Sequence, residues 1–340
     1  MTTEVAPTDS KKALEAAVER AADLLKRGEI VALPTETVYG LAANALDPLA
    51  VAKVFAAKDR PEFDPLIVHM AGHETLREIV DVPADIAHAV DRLAAAFWPG
   101  PLTMILPKKP VISDLVTAGL STVAVRVPGH PISRRVLRVC GFPLAAPSAN
   151  RFGRISPTTA SAVLKELGGR IPLILDGGAC PEGLESTIIC IFAQPEKTKP
   201  LIRVLRAGPV TKDQLQLHGQ VKFSGREEPL AAPGQLASHY APRTPLRLLE
   251  DREIFVPEPG KRYALLSFHG DPPHLNLADF TVTAALSPGS GKLQEAAIRL
   301  FAVMRQLDEA GVDEIIAESV TEKGVGIAIM DRLRKAAARR

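Results

Sequence analysis

Residues 30–41 read IVALPTETVYGL, an uninterrupted apolar run followed at once by a polar one. The apolar run at 30–33 has the length of a short strand that is buried on both faces. Residues 35–37 then supply two hydroxyls and a carboxylate, and Gly40 follows shortly. Because open α/β sheets bind ligands at the carboxyl ends of their strands, this order predicts a strand that ends at a ligand site.

A second polar segment, KDRP at residues 58–61, carries Lys58 and Arg60 one residue apart, and Pro61 stiffens its exit. Paired cations beside hydroxyls suit a polyphosphate or a carboxylate. An ordinary solvated loop would also account for either segment alone. Both occur together with further polar strand ends downstream, and the combination favours an anion-binding site.

The composition is that of a globular protein long enough for two domains. The chain has 340 residues, of which 46% are hydrophobic, so a large core is available. Aromatic residues make up only 4%, and the net charge is +2. These values argue against a dedicated binder of single-stranded nucleic acid, which needs stacking platforms and a basic field.

The cysteines and histidines form no recognisable metal motif. Cys140, Cys180 and Cys190 lack a CxxC spacing, and only His69 of the eight histidines lies beside a motif. We therefore assign no metal ligand among the protein side chains. The N-terminal residues lack a secretory pattern, and no run is long and apolar enough for a bilayer span. We expect a soluble, cytoplasmic protein without a membrane role.

Helical and strand-like patterns alternate along the chain, but several strands follow one another without an intervening helix. Residues 10–27 form an amphipathic pattern that Asp9 or Ser10 can cap and Gly28 can end. Residues 65–70 and 123–127 are strand-like. This order predicts an α/β fold with a twisted mixed sheet, not a purely parallel one.

The pattern changes near residue 211. We predict a first domain at 1–211, a linker without sustained periodicity at 212–243, and a second domain at 244–340. The second domain alternates strands with an amphipathic helix at 293–307, which predicts a smaller Rossmann-like α/β fold.

Arg126 lies inside an alternating strand, VAVRV at 123–127. A buried arginine needs an acidic partner, so two interpretations stay open: an internal salt bridge, or a clamp for a ligand carboxylate. The turn APSAN at 146–150 presents Ser148 and Asn150, whose side chains suit phosphate, ribose or base edges. An ordinary polar turn explains the same two residues.

Two further positions extend this set. Ser156 precedes a helix, where it suits either a nucleotide contact or a cap, and Arg206 ends the last strand of the first domain. Four cations therefore lie at strand ends or in loops: Lys58, Arg60, Arg126 and Arg206. This set points to a small anionic ligand such as a nucleotide. The chain has no Walker A lysine motif, no GxSxG elbow and no HExxH, and no general acid–base pair is evident.

Eight segments of the first domain, in this order, resemble the YrdC-type threonylcarbamoyl-AMP synthases in their long two-domain form. They span roughly residues 33–209 and read PTETVYGLAANA, KDRPEFDPLIVH, WPGPLT, STVAVRVPGHP, APSANRFGRISPT, DGG, ESTI and LRAGP. APGQLASHYAP at 232–242 and GVGIAIMDRLRKAA at 324–337 resemble the second half of that form. The chain departs from the family at Ala207, where Pro is usual, and at Leu184, which is bulkier than usual.

The resemblance implies a nucleotidyltransferase that condenses L-threonine, bicarbonate or carbon dioxide, and ATP to threonylcarbamoyl-AMP and pyrophosphate. It also implies Mg²⁺, bound with ATP, as the cofactor. The product would serve the threonylcarbamoyladenosine modification of tRNA next to the anticodon, through a separate transfer machinery. Direct binding of tRNA to this chain stays open.

The resemblance also assigns site residues by their positions in the matching motifs. It implies that L-threonine is bound by Thr35, His69, Arg126 and Ser186, with Arg126 on the carboxylate. It implies that ATP is bound by Lys58, Arg60, Thr122, Ser148, Asn150, Ser156, Arg206 and Tyr240. Lys58 and Arg60 are the triphosphate cations, and Tyr240 lies in a linker motif that we interpret as a lid over the site.

Three other interpretations compete with this one. An RNA-binding or ribosome-assembly module would use the same basic residues without turning over ATP. A carbamoyltransferase of the hydrogenase-maturation type shares the first domain but carries zinc-finger segments, for which this chain lacks CxxC pairs. An aminoacyl-adenylate-forming enzyme would need no bicarbonate.

Overall fold

The computed structural model describes residues 2–194, 198–225, 233–234, 239–249 and 253–338. The chain divides into two compact units. The first unit comprises the described residues of 1–152, 157–181 and 185–235, and the second unit comprises those of 153–156, 182–184 and 236–340. In the described part of the chain, no helix combines the length and the apolar character that a membrane crossing requires.

The first unit contains one large sheet and the helices that cover it. Its described α-helices are α1 (Lys11–Lys26), α2 (Pro48–Lys58), α3 (Leu76–Ile79), α4 (Ala87–Phe97), α5 (Asp114–Thr117), α6 (Pro131–Cys140), α7 (Ala160–Leu167) and α8 (Lys212–Gln216). Its described strands are β1 (Glu4–Pro7), β2 (Val31–Leu33), β3 (Gly40–Asn44), β4 (Ile67–His69), β5 (Leu102–Pro107), β6 (Thr122–Arg126), β7 (Leu144–Ala145), β8 (Leu173–Asp176), β9 (Thr187–Phe192), β10 (Leu201–Arg206) and β11 (Gln220–Phe223).

The eleven strands have the order β1-β8-β2-β3-β7-β4-β6-β5-β9-β10-β11. The sheet contains both parallel pairs, such as β4–β6, and antiparallel pairs, such as β5–β6, so the predicted mixed α/β sheet is confirmed. The long order also explains why the strand patterns follow one another in the sequence: antiparallel neighbours need no crossover helix.

The apolar run at 30–33 is buried on both faces, as its composition predicts. Val31 and Leu33 pack into a core with residues of α1 and α6. Ile30 and Ala32 belong to a different core, which includes residues of α2 and α7. Because successive side chains point to opposite faces of a strand, β2 joins the two layers and its carboxyl end is fixed from both sides.

Local capping agrees with the helix boundaries predicted at α1. The Ser10 side chain accepts a hydrogen bond from the Ala13 amide at 3.2 Å, and Gly28 follows the helix with φ at 72°. At α2 the Asp47 side chain caps the first turn, and Asp59 follows Lys58 in the left-handed region with φ at 53°. That reversal turns the chain directly after Lys58 and leads Arg60 back towards the sheet.

The structure contains elements that the sequence patterns did not indicate. The segment interpreted as the start of the linker forms α8 and β11, and β11 pairs in parallel with β10. A capping box between Thr211 and Gln214 starts α8. Of the predicted linker, residues 226–232 and 235–238 lie outside the described residues. The domain boundaries at 211 and 243 stay predictions.

The second unit is a smaller α/β layer. Its described strands are β12 (Leu246–Leu248), β13 (Tyr263–Ser267), β14 (Val282–Ala285) and β15 (Glu314–Ala317), and its described helices of regular α type are α9 (Leu293–Asp308) and α10 (Gly326–Ala337). The strands are all parallel in the order β12-β15-β13-β14. This arrangement is the predicted Rossmann-like fold, and its sheet is buried around Tyr263, Leu265 and Ile316.

Candidate functional site

The parallel pairing of β4 with β6 places His69 opposite Arg126. Both residues lie at the carboxyl ends of their strands, and both are buried. Carboxyl ends of neighbouring parallel strands meet at one edge of a sheet, where ligands bind. Two of the residues predicted to bind L-threonine are therefore brought together by strand register.

Arg126 is held by the loop that follows β2. Its Nη2 lies 2.7 Å from Oε1 of Glu36, and its Nη1 donates a hydrogen bond to Oγ1 of Thr37 at 3.0 Å. Arg126 is only 3% exposed. Within the described residues, Nε and Nη2 make no hydrogen bond, because the contact with Glu36 is an ion pair without hydrogen-bond alignment. The internal salt bridge is thus present, and one edge of the guanidinium still offers two donors.

Thr35 and Thr37 organise the same loop. Oγ1 of Thr35 accepts hydrogen bonds from the amides of Thr37 and Val38 at 3.1 and 3.2 Å, and it donates to the Val38 carbonyl at 2.6 Å. The two threonine hydroxyls are 2.8 Å apart. Since Arg126 donates to Thr37, and Thr35 donates to Val38, the remaining proton runs from Thr37 to Thr35. The hydroxyl predicted to contact threonine is one that shapes this turn.

His69 is uncharged in this setting. Burial and the neighbouring Arg126 guanidinium lower the pKa of the His69 imidazole well below its usual value. A neutral imidazole beside a buried arginine adds no further positive charge to the site. It can therefore act as a donor or an acceptor of a hydrogen bond, according to its tautomer.

Lys58 ends α2 and is also buried. Its Nζ donates short hydrogen bonds to the backbone carbonyls of Ser148 and Asn150. Burial and the nearby Arg60 lower the pKa of the Lys58 ammonium well below its usual value. The structure thus joins three residues predicted to bind ATP, and it does so through the backbone of the turn at 146–150, not its side chains.

Arg60 is fixed by the loop that it starts. Its Nη2 lies 2.8 Å from Oδ2 of Asp64, and its Nε donates to the Asp64 carbonyl at 3.2 Å. Burial raises the pKa of the Asp64 carboxyl, which the Arg60, Lys58 and Arg206 cations oppose. The guanidinium also lies over the ring of Phe152, 5.9 Å from its centroid. The two cations of the KDRP segment are therefore interior groups, not solvated ones.

Arg206 binds a residue assigned to the other substrate. Its Nε donates to the Ser186 carbonyl at 3.1 Å, and its Nη2 donates to Oγ of Ser186 at the same distance. Oγ of Ser186 in turn lies 2.7 Å from Oγ1 of Thr103. Ser186 and Thr103 are fully buried. This network links a predicted threonine contact to a predicted ATP contact.

Three further predicted site residues are Thr122, Ser156 and Tyr240. Thr122 starts β6, and Arg126 ends it, so about 13 Å of extended chain separates them. Ser156 and Tyr240 belong to the second unit. There the Tyr240 ring stacks on Phe301 with centroids 5.5 Å apart. These three assignments stay predictions.

Tyr240 has a strained backbone in a tightly packed environment. Its φ is 64°, which is rare for an aromatic residue, and its side chain is buried. The guanidinium of Arg332, also fully buried, lies 5.0 Å from the ring centroid. Oδ2 of Asp331 lies 2.5 Å from the Arg332 guanidinium. Tyr240 is thus anchored in the second unit by a cation–π contact and ring stacking.

The sequence interpretation missed four buried polar residues of these networks: Glu36, Thr37, Asp64 and Thr103. Glu36 and Thr37 belong to the polar segment at residues 35–37, which indicated a ligand site, but neither received an individual role. Thr103 could have been noticed as a hydroxyl inside an apolar strand, LTMILP of β5. Asp64 follows Arg60 by four residues, but no helix places them together, so only the loop fold reveals the pair.

Two family models cover most of the chain. One, described as telomere recombination, matches residues 23–208, and one described as the C-terminal domain of threonylcarbamoyl-AMP synthase matches residues 203–338. The threonylcarbamoyl-AMP synthase of Bacillus subtilis is 39% identical, over 98% of this chain and 96% of its own length. That of Pyrococcus abyssi is 38% identical, over 94% of each chain.

A solved structure gives the same result for the fold. The crystal structure of Pyrococcus abyssi Sua5 in complex with L-threonine superimposes with a TM-score of 0.83 at 34% identity, covering 99% of this chain and 98% of that one. Relatives at this identity match nearly the full length of the chain, and both family models match as well. The chain belongs to the threonylcarbamoyl-AMP synthase family, in its long two-domain form.

Proposed function

We propose that this chain condenses L-threonine, bicarbonate and ATP to threonylcarbamoyl-AMP and pyrophosphate. The observation that carries the proposal is the buried Arg126, whose Nε and Nη2 make no hydrogen bond within the described residues. A guanidinium edge at the carboxyl end of a strand suits the carboxylate of an amino acid. Relatives named for this activity at up to 39% identity support the same conclusion.

The reaction needs positioning and charge neutralisation more than a nucleophile on the protein. The unprotonated threonine amine adds to carbon dioxide and releases a proton to solvent as the carbamate forms, and a carbamate oxygen attacks the α-phosphorus of ATP in line. The bond from that phosphorus to the bridging oxygen breaks, and pyrophosphate leaves with its electrons. Lys58, Arg60 and Arg206 are the buried cations that would hold the phosphates.

The burial of Lys58 affects its pKa both before and after ATP binds. Its pKa is lowered in the protein alone, and polyphosphate oxygens nearby would raise it again. Phosphate oxygens near Nζ would therefore favour the charged form of Lys58. Ser148 and Asn150 would reach the nucleotide from the turn whose carbonyls hold that lysine.

We propose that Mg²⁺ would be carried by the phosphates of ATP, where it would offset charge on the leaving pyrophosphate. The carboxylates near the site cations suit a metal that is carried by the phosphates of the substrate and not by protein ligands. Glu36 and Asp64, the carboxylates beside the site cations, are already paired with Arg126 and Arg60. Within the described residues, no group of three or more His, Cys, Asp or Glu side chains is arranged around a common metal position.

We propose that the product serves the threonylcarbamoyladenosine modification of tRNA, in the cytoplasm, through a separate transfer machinery. Nothing in the chemistry of the adenylate requires tRNA to bind this chain. Salt-dependent binding of tRNA would be measured separately, since phosphate contacts weaken steeply with salt.

The test is product analysis by mass spectrometry with purified full-length protein, ATP, Mg²⁺, L-threonine and ¹³C-bicarbonate. We expect a threonylcarbamoyl-AMP peak that carries the label and disappears when threonine is omitted or replaced by serine. An adenylate without the label would indicate ordinary aminoacyl-adenylate formation. A folded, ATP-binding protein that forms no labelled product would overturn the proposal.

A further inference from the structure

The carboxylate of Glu36 lies in a confined position at the end of the loop that follows β2. The residue is 8% exposed. A Cβ atom added at Gly129 would lie 3.3 Å from the Glu36 Cδ, so the backbone of the loop after β6 closes one side. Arg126 closes another side through the ion pair at 2.7 Å.

Neither oxygen of this carboxylate accepts a hydrogen bond within the described residues. A buried carboxylate normally accepts several, because losing water without replacement is costly. The Arg126 ion pair supplies charge but not hydrogen-bond alignment, and it involves Oε1. Oε2 is therefore a buried carboxylate acceptor that has no hydrogen-bond donor among the described residues.

Glu36 and Arg126 together present a pair of opposite charges, each with unused hydrogen-bonding capacity on buried atoms. An α-amino acid carries the complementary pair, a carboxylate and an ammonium group on one carbon. We propose that Glu36 binds the α-ammonium group of the amino acid whose carboxylate binds Arg126. This inference rests on the proposed function, and it makes Glu36 a specificity residue that selects amino acids over hydroxy acids.

The proposal explains why a carboxylate is retained beside the arginine that must bind a carboxylate. Alone, Glu36 would compete with the ligand for Arg126 and weaken binding. With the ammonium group as its ligand, Glu36 contributes a charge-assisted hydrogen bond and keeps the net charge of the occupied site unchanged. An acceptor that only held Arg126 would not discriminate between an amine and a hydroxyl.

The test compares two ligands that differ only at that group: L-threonine, and the 2,3-dihydroxybutanoate in which a hydroxyl replaces the ammonium. Binding to the full-length protein is measured by calorimetry for wild type, E36Q and E36D. We expect wild type to prefer threonine by about tenfold to a hundredfold, the usual effect of a charged hydrogen bond. In E36Q this ratio should fall towards one, mainly through weaker threonine binding, and E36D should recover part of it.

The matched control is E29Q, which removes the same charge at the exposed pair between Glu29 and Lys53. It should leave both affinities unchanged. ATP binding and the thermal transition of E36Q show whether the variant is folded. If E36Q weakens both ligands equally, or keeps the wild-type ratio, Glu36 only supports Arg126 and the inference is wrong. If wild type binds no threonine, the proposed function itself fails, and the inference fails with it.

Discussion

His69 and Arg126 occupy paired positions on the parallel strands β4 and β6, and both are buried. Burial and the Arg126 guanidinium lower the pKa of the His69 imidazole well below its usual value. The histidine cannot gain a proton without adding a second positive charge to a buried site. The charge pattern of the site is therefore set by strand register.

A first prediction concerns His69 and acid stability. Its folded pKa is lowered, so below pH 6.5 the unfolded chain binds a proton here that the folded chain does not. The free energy of unfolding should therefore fall as the pH falls through this range. We expect H69Q to flatten the pH dependence between roughly pH 7 and roughly pH 5 in denaturant titrations. H73Q, at an exposed histidine, serves as the control, and equal slopes for H69Q and wild type would contradict the prediction.

A second prediction concerns proton uptake with ATP. The lowered pKa of Lys58 should rise when phosphate oxygens approach, so binding of Mg²⁺–ATP should draw a proton from the buffer. Calorimetry in buffers of different ionisation enthalpy measures that uptake. K58M should abolish it and weaken ATP binding. Binding without proton exchange at every pH from about 7 to about 9 would show that Lys58 does not meet the phosphates.

A third prediction concerns the ion pair between Arg126 and Glu36. R126M leaves a buried carboxylate without its partner and should lower the free energy of unfolding by about 3–5 kcal/mol. The double variant R126M/E36Q removes both charges and should recover much of that stability, although it should bind no threonine. A double-mutant cycle by chemical denaturation measures the coupling. Additive effects would mean that the pair contributes nothing to the fold.

A fourth prediction concerns Thr103. T103V keeps the shape of the side chain but removes the hydroxyl 2.7 Å from Oγ of Ser186. We expect a loss of about 1 kcal/mol in unfolding free energy, since Ser186 keeps its bond from Arg206. KM for threonine and ATP should rise more than kcat falls, because the hydroxyl positions both residues. T283V, at an exposed threonine of β14, is the matched control.

A fifth prediction concerns Tyr240 and the lid interpretation. Y240F keeps the stacking on Phe301 and the contact with Arg332, whereas Y240A removes both. Y240A should therefore lower the thermal transition, as large-to-small core substitutions do, and it should also lower turnover and nucleotide affinity. Y240F should retain the thermal transition of wild type. Full activity and nucleotide affinity in Y240A would rule out the lid.

The sequence predicted the strands that carry the site but not how they pair. The apolar runs around Ile67 and Val125 indicate strands from composition alone. The uninterrupted apolar run at 30–33 likewise indicates β2, because such runs are typical of strands buried on both faces. That His69 lies beside Arg126 depends on a parallel pairing between segments more than fifty residues apart. Local patterns contain no information on such a register.

The missed elements have physical reasons. β3 consists mainly of Gly and Ala, which have low strand propensity, and burial between neighbouring strands stabilises it. β11 is mostly exposed at the edge of the sheet and has a polar sequence, so it resembles a linker. The roles of Lys58 and Arg60 as interior groups were also hidden, because their partners are backbone carbonyls and a loop carboxylate.

The directions of the hydroxyl hydrogen bonds in the loop after β2 have a consequence for ligand binding. Thr35 donates to the Val38 carbonyl, so Thr37 donates to Thr35 and accepts from Arg126. The protons of both hydroxyls are thereby used within these contacts, and Glu36 adds carboxylate oxygens that accept no hydrogen bond from the described residues. A ligand group that only accepts hydrogen bonds gains none from these two hydroxyls or from Glu36, so it depends on the Arg126 guanidinium. A ligand group that donates hydrogen bonds is the one that suits the Glu36 oxygens.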